Sequence, residues 1–297
     1  MEVEEIKKTA VIGAGNMGSQ IAGLLSRVGK YEVNLVDVND EFVRRGLKSI
    51  KSGLKKFYLE KGKITKGEIE AILTRIRGFV DFEKAVEDVQ FVIEAVPEIL
   101  DLKCKTFQRI DKSAPKNAVL ASNTSMLNIT EIASATNNPS RVVGMHFFNP
   151  VAVMKLVEVV KGSQSSDKAV KLAVTLSKRL GKEPVVCRDT SYGFLANRVY
   201  EALREEALQV VWEKVASPED VDKALKLGYN LPLGPLEMGD MLGSWKRRHE
   251  MEKDRIRELG EKGRLHPLIK TMVRAGYYGG PGEKGIYDFW REVISKW

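Results

Sequence analysis

The sequence predicts an α/β domain built on a doubly wound, mostly parallel sheet, followed by a second, all-α domain, and three features of the chain say so. A short apolar run enters a glycine-rich turn that opens a helix, and a second apolar run then ends in an acid. Short apolar runs alternate with helical patterns as far as residue 188, the order that builds a parallel sheet covered by helices. From residue 189 only helical periodicity remains, so the boundary is expected between 1–188 and 189–297.

Thr9–Ile12 enters Gly13-Ala14-Gly15-Asn16-Met17-Gly18 and continues as a helical pattern through Ile21, Leu24, Leu25 and Val28. The glycines fit G-x-G-x-x-G in the strand-turn-helix setting of a Rossmann-type domain. Gly13 permits the tight turn, Gly15 lets a pyrophosphate approach the backbone, and Gly18 lets the helix pack on the strand. The helix N-terminus supplies N–H groups for the anion. Val33–Val36 ends in Asp37, 19 residues after Gly18. An acid there bonds the ribose hydroxyls and repels a 2′-phosphate, which favours NAD over NADP.

Glu41 to Glu60 reads as a helix rich in lysine, among them Lys56, which is either a solvated face or a cradle for phosphates. Ile76–Val80 and Val89–Ala95 are expected strands with a short helix, Phe82–Glu87, between them. Glu98 and Lys103 follow at the carboxyl end of a parallel strand. They are candidates to line the nicotinamide side of a cofactor cleft, or simply the start of a helix. Ala118–Ala121 is a further strand, and Asn128 with Glu131 caps the helix after it. That reading leaves Ser122, Asn123 and Ser125 spare, with hydroxyls able to hold a substrate oxygen.

Asn149-Pro150 punctuates the apolar runs Val142–Phe148 and Val153–Val160, which predicts two strands folding back around Ala152 with His146 opposite Glu158. Met154, Leu156, Glu158 and Val160 share one face of the second strand, so Glu158 needs a partner there. Two readings stay open. Glu158 fixes the tautomer of His146, a general base, or His146 is a satisfied core histidine beside an edge charge. Lys168–Leu180 is an amphipathic helix, Glu183–Cys187 a last strand, and Arg188-Asp189-Thr190-Ser191 the junction. Beyond it Leu195–Val215, Pro218–Leu227 with Ser217 as cap, Pro232–Leu242 and Leu265–Ala275 read as helices. Asn197 falls in the first turn of the longest, either solvated or reaching a ligand.

The formal charge of +8 arises from 48 basic residues spread among 40 acidic ones, with no basic block carrying interleaved aromatics, so nucleic acid is not an expected partner. No run is long enough for a membrane span, and the first residues lack signal-peptide order, which points to a cytoplasmic protein. Cys104 and Cys187 stand far apart without metal-ligand spacing, so no metal site is expected.

From Thr9 to Phe289 the chain resembles the L-3-hydroxyacyl-CoA dehydrogenases of fatty-acid β-oxidation and butyrate (butanoate) metabolism. The match is carried by Gly13–Gly18, Ser122–Ser125, His146–Pro150 through Glu158, Gly193–Arg198 and Leu233–Glu237. The resemblance implies an NAD-dependent oxidoreductase that converts a 3-hydroxyacyl-CoA thioester to the 3-ketoacyl-CoA. His146 would be its base, Glu158 would orient His146, Ser125 and Asn197 would hold substrate oxygens, and Asn149 would support the same network. It further implies cofactor contacts from Gly13, Gly15, Asn16, Met17, Gly18, Asp37, Glu98, Lys103 and Asn123, CoA contacts near Lys56, and a homodimer formed through the helical domain. The chain departs from the family at Ser191-Tyr192, Ser244-Trp245 and Gly279–Gly285. The alternatives are a related sugar-acid dehydrogenase of the gulonate type and a non-catalytic protein that binds NAD or acyl-CoA.

Overall fold

The computed structural model describes residues 2–189 and 192–296, so Thr190 and Ser191 of the expected junction lie outside the described residues. The chain divides into two compact units, Met1–Thr190 and Ser191–Trp297.

In the first unit β1 (Lys8–Ile12) leads into α1 (Asn16–Arg27), β2 (Glu32–Val36) into α2 (Asp40–Leu54) and α3 (Lys66–Thr74), and β3 (Ile76–Phe79) into α4 (Phe82–Val86). β4 (Phe91–Glu94) leads into α5 (Leu100–Ser113), and β5 (Val119–Ser122) into α6 (Ile129–Ser134). β6 (Val142–Phe147), β7 (Leu156–Lys161), α7 (Asp167–Arg179) and β8 (Glu183–Arg188) follow. The sheet order is β3-β2-β1-β4-β5-β6-β7-β8, parallel throughout except where β6 meets β7. Central strands covered on both faces are apolar at every turn of the pleat, so Val92, Ile93 and Leu120 are wholly buried. Chain order reverses between β1 and β4, and a crevice outside the strand ends at such a point takes ligands.

Side-chain oxygens of Asn39, Thr65, Asn128 and Ser166 cap α2, α3, α6 and α7. α1 differs, because Gly15 at its N-cap brings no side-chain cap. The helix expected from Glu41 to Glu60 keeps α geometry only to Leu54 and then widens into a π turn, Lys55–Leu59. The second hairpin strand starts at Leu156 rather than Val153. The N–H groups of Val153 and Met154 both donate to Pro150 O, at 3.0 and 2.9 Å, so Met154 sits in the turn and not on the strand face of Glu158.

The second unit comprises α8 (Ala196–Trp212), α9 (Pro218–Gly228), α10 (Pro235–Met241), α11 (Ser244–Glu250), α12 (Glu252–Leu259), α13 (Pro267–Arg274) and α14 (Ile286–Glu292). Leu208, Leu236, Trp245, Leu268, Met272 and Phe289 form its core. α11 and α12 come from a strongly charged stretch that suggested no element. Arg248 and Arg255 turn inward there and pair with Glu201 and Glu205 of α8. Among the described residues no helix is long and apolar enough to cross a membrane.

Candidate active site

The glycines of the β1–α1 turn have separate reasons. Gly13 holds φ at +102°, and a Cβ there would come 2.7 Å from Ala95 O. A Cβ on Gly18 would overlap the carbonyl oxygen of Gly13. Gly15, at φ −68°, would place a Cβ in open space with nothing within 4 Å. The fold therefore requires the first and third glycines, while the second keeps clear the space over the uncapped first turn of α1. That cradle fits a pyrophosphate. Asn16 is exposed at its edge and Met17 packs on the core. Asp37 stands beside it after β2, its Oδ2 accepting from Ala14 N–H and its Oδ1 from Val38 N–H, both at 2.7 Å.

At the carboxyl ends of β4 and β5 the register sets Glu94 opposite Ser122. Glu94 Oε1 accepts from Lys103 Nζ and Val96 N–H, each at 2.7 Å, and Oε2 from the Ser122 hydroxyl at 2.6 Å. Ser122, expected to be spare, is thus buried and committed to Glu94, because it is the last residue of a strand whose neighbour ends in an acid. Lys103 does not line an open cleft either. It is 1% exposed and lies beneath, reaching Val96 O at 3.1 Å and Glu98 Oε2 at 3.3 Å. Glu98 Oε1 accepts from Thr124 Oγ1 at 2.6 Å, Ser125 N–H at 2.8 Å and Ser125 Oγ at 3.2 Å. Burial pushes the Glu98 carboxyl up, but Lys103 and these donors outweigh it and hold the group below the usual carboxylate range. At Glu94 burial wins over Lys103, and its pKa is raised. Asn123 Oδ1 accepts Phe147 N–H at 3.0 Å and so ties the end of β5 to β6.

His146 and Glu158 are direct partners across β6–β7, with Nδ1 2.7 Å from Oε2. Glu158 is fully buried and His146 is 6% exposed, its ring 4.3 Å from that of Phe148. An Nδ1 bonded to a carboxylate carries the proton, which leaves Nε2 with the lone pair. In the turn that follows, Asn149 Oδ1 accepts from Gln20 Nε2 at 2.9 Å, and Gln20 Oε1 accepts Val151 N–H at 2.8 Å. Lys182 donates to Val151 O and, at 2.8 Å, to Met154 O, and burial lowers its pKa to about 8. Sequence reasoning missed Glu94, Gln20 and Lys182. Only Glu94 carries a signal, as an acid inside the apolar run Val89–Ala95.

Lys56 is exposed on the π turn, with its ammonium 5.6 Å from the Phe57 ring. Phe57 helps line an open groove with Gln20, Arg27, Ile50, Tyr58 and Val151. Asn197 belongs to the second unit, half-buried in the first turn of α8. No group of three or more His, Cys, Asp or Glu among the described residues is placed to hold a metal ion.

A dinucleotide cradle and a carboxylate-bound histidine at the same end of one parallel sheet define a class, the NAD-dependent dehydrogenases. Residues 8–190 match the family described as 3-hydroxyacyl-CoA dehydrogenase, NAD binding domain, and residues 193–289 match its C-terminal domain. The chain is 42% identical over 285 residues to a probable 3-hydroxybutyryl-CoA dehydrogenase of Bacillus subtilis, covering 96% of this chain and 98% of that one. It is 37% identical to the mitochondrial hydroxyacyl-coenzyme A dehydrogenase of Homo sapiens, over 96% of this chain and 91% of the other. The crystal structure of (S)-3-hydroxybutyryl-CoA dehydrogenase from Ralstonia eutropha matches with a TM-score of 0.89 at 38% identity, covering 95% of this chain and 99% of that one. The chain belongs to the 3-hydroxyacyl-CoA dehydrogenase family of NAD-dependent oxidoreductases.

Proposed function

We propose that this chain oxidises an L-3-hydroxyacyl-CoA reversibly to the 3-ketoacyl-CoA with His146 as general base. The observation that carries the reading is the buried contact of 2.7 Å between His146 Nδ1 and Glu158 Oε2. NAD, when bound, supplies the acceptor for the hydride at C3. The remaining tasks fall to side chains of this chain. Glu158 keeps the Nδ1 proton in place, so Nε2 takes the hydroxyl proton, and its charge offsets the one that the imidazole gains. In the reverse direction the imidazolium returns that proton to the ketone oxygen. Ser125, whose backbone and hydroxyl are set by Glu98, and Asn197 hold the substrate oxygens, and Asn149 supports them from the turn. Gly13, Gly15, Asn16, Met17 and Gly18 hold the pyrophosphate, Asp37 the ribose, and Glu98 and Asn123 the nicotinamide side, where the buried Lys103 acts only through Glu98. Lysines around Lys56, beside the open groove, meet the phosphates of CoA. The working form is a cytoplasmic homodimer joined through the helical unit.

The test is the loss of NADH absorbance on adding acetoacetyl-CoA, with NADPH and free acetoacetate in parallel. Rapid oxidation of NADH by the thioester alone is expected. Turnover of free hydroxy or keto acids, with none of any acyl-CoA, overturns the reading in favour of a sugar-acid dehydrogenase.

A further inference from the structure

Three charged side chains meet under the ends of β4 and β5, and their signs do not balance. Glu94 and Glu98 both reach the single ammonium of Lys103, at 2.7 and 3.3 Å. Every partner of Glu94 is a donor. The Val96 N–H and the ammonium can only donate, both to Oε1 at 2.7 Å, while the Ser122 hydroxyl, which also accepts Thr124 N–H at 3.2 Å, lies 2.6 Å from Oε2. The buried ammonium of Lys103, 2.7 Å from Oε1, favours the carboxylate form of Glu94. The cluster then holds two negative charges and one positive. The surplus lies on Glu98, whose side chain is 23% exposed while that of Lys103 is 1% exposed and Glu94 is fully buried.

We propose that Glu94 is a positioning residue that tunes the redox preference of the site: by neutralising Lys103 it leaves Glu98 anionic beside the nicotinamide, where it favours the cationic oxidised ring over the neutral reduced one. The inference rests on the placement of Glu98 given above. Asp37 follows β2, on one side of the point where chain order reverses, and Glu98 follows β4 on the other, so a dinucleotide with its adenosine ribose at Asp37 carries its nicotinamide toward Glu98. Without the Glu94 charge, Lys103 pairs with Glu98 alone and the cluster sums to zero.

The test is the pair of dissociation constants for NAD⁺ and NADH, measured by calorimetry on the full chain without substrate. Glu94→Gln keeps an acceptor for Val96 and Lys103 and offers a donor to Ser122. It is expected to weaken NAD⁺ about five- to tenfold while NADH stays within about twofold, the scale of one charge interaction across several ångströms of protein. Ser122→Ala, which removes one donor from Glu94, shifts the ratio the same way by less, and it decides alone if Glu94→Gln does not fold. Equal weakening of both cofactors, or of neither, overturns the role of Glu94. If Glu98→Gln leaves both constants unchanged, the placement of Glu98 fails instead, whatever Glu94 does.

Discussion

Gln20 Nε2 donates to Asn149 Oδ1 at 2.9 Å across 129 residues of chain, and also to Asn16 Oδ1 at 3.0 Å. One side chain therefore joins the start of the cofactor helix to the turn that follows His146. Replacing Gln20 with Ala removes these bonds and the one to Val151 N–H. Gln20 is only half-buried, so water takes over the freed groups, and stability in urea falls by about 1 kcal/mol. Turnover falls more than NADH affinity does, because the turn loses both of its bonds to Gln20, through Asn149 and Val151, while the cradle loses only the one to the exposed Asn16.

His146→Ala is expected to lower kcat by roughly 10²–10⁴ while NADH binds as before, in fluorescence titration. Glu158→Gln keeps a hydrogen bond but no charge, and its turnover lies between the two. Unchanged turnover in His146→Ala removes this residue from the mechanism.

The glycines separate folding from binding. Gly15→Ala adds a methyl group that meets no protein atom, so its melting temperature stays that of the parent, while NAD affinity drops by roughly tenfold, about 1.4 kcal/mol. Gly13→Ala meets Ala95 O and a positive φ, and loses about 1–3 kcal/mol of stability.

Lys182 gives a pH dependence. Its folded pKa of about 8 lies below the unfolded lysine value of about 10.4. Between the two the unfolded chain holds the extra proton, so this group makes stability rise with pH. The stability of the parent relative to Lys182→Met is expected to grow from about pH 8 to about pH 10 in urea titrations, since the cost of burying the charge disappears over that window. A gap that is flat or narrowing over that range contradicts the assignment.

What was legible in the sequence is what burial writes in one dimension. The apolar runs gave the strands, and the glycine spacing with Asp37 gave the cradle. Equal distance from Ala152 gave the pairing of His146 with Glu158, which the register bears out. Hidden were contacts that leave no period. Lys103 meets Glu94 only once α5 folds back on β4, and Ser122 looked like a loop hydroxyl because its acid partner lies 28 residues away. Gln20 and Lys182 bond to backbone groups 131 and 31 residues distant. α11 and α12 broke the amphipathic rule itself, since their buried positions include arginines that are tolerable only against Glu201 and Glu205.

Tethers from Gln20 and Lys182 leave the β6–β7 connection little slack, and its two strands alternate sides at every residue. Connection length therefore acts as a parity constraint. Removing or adding a single residue between 148 and 155 would carry Glu158 to the opposite side of the sheet and bring a valine, Val157 or Val159, against the imidazole. Loop grafting for new substrates at this site must either conserve that length or import the hairpin whole.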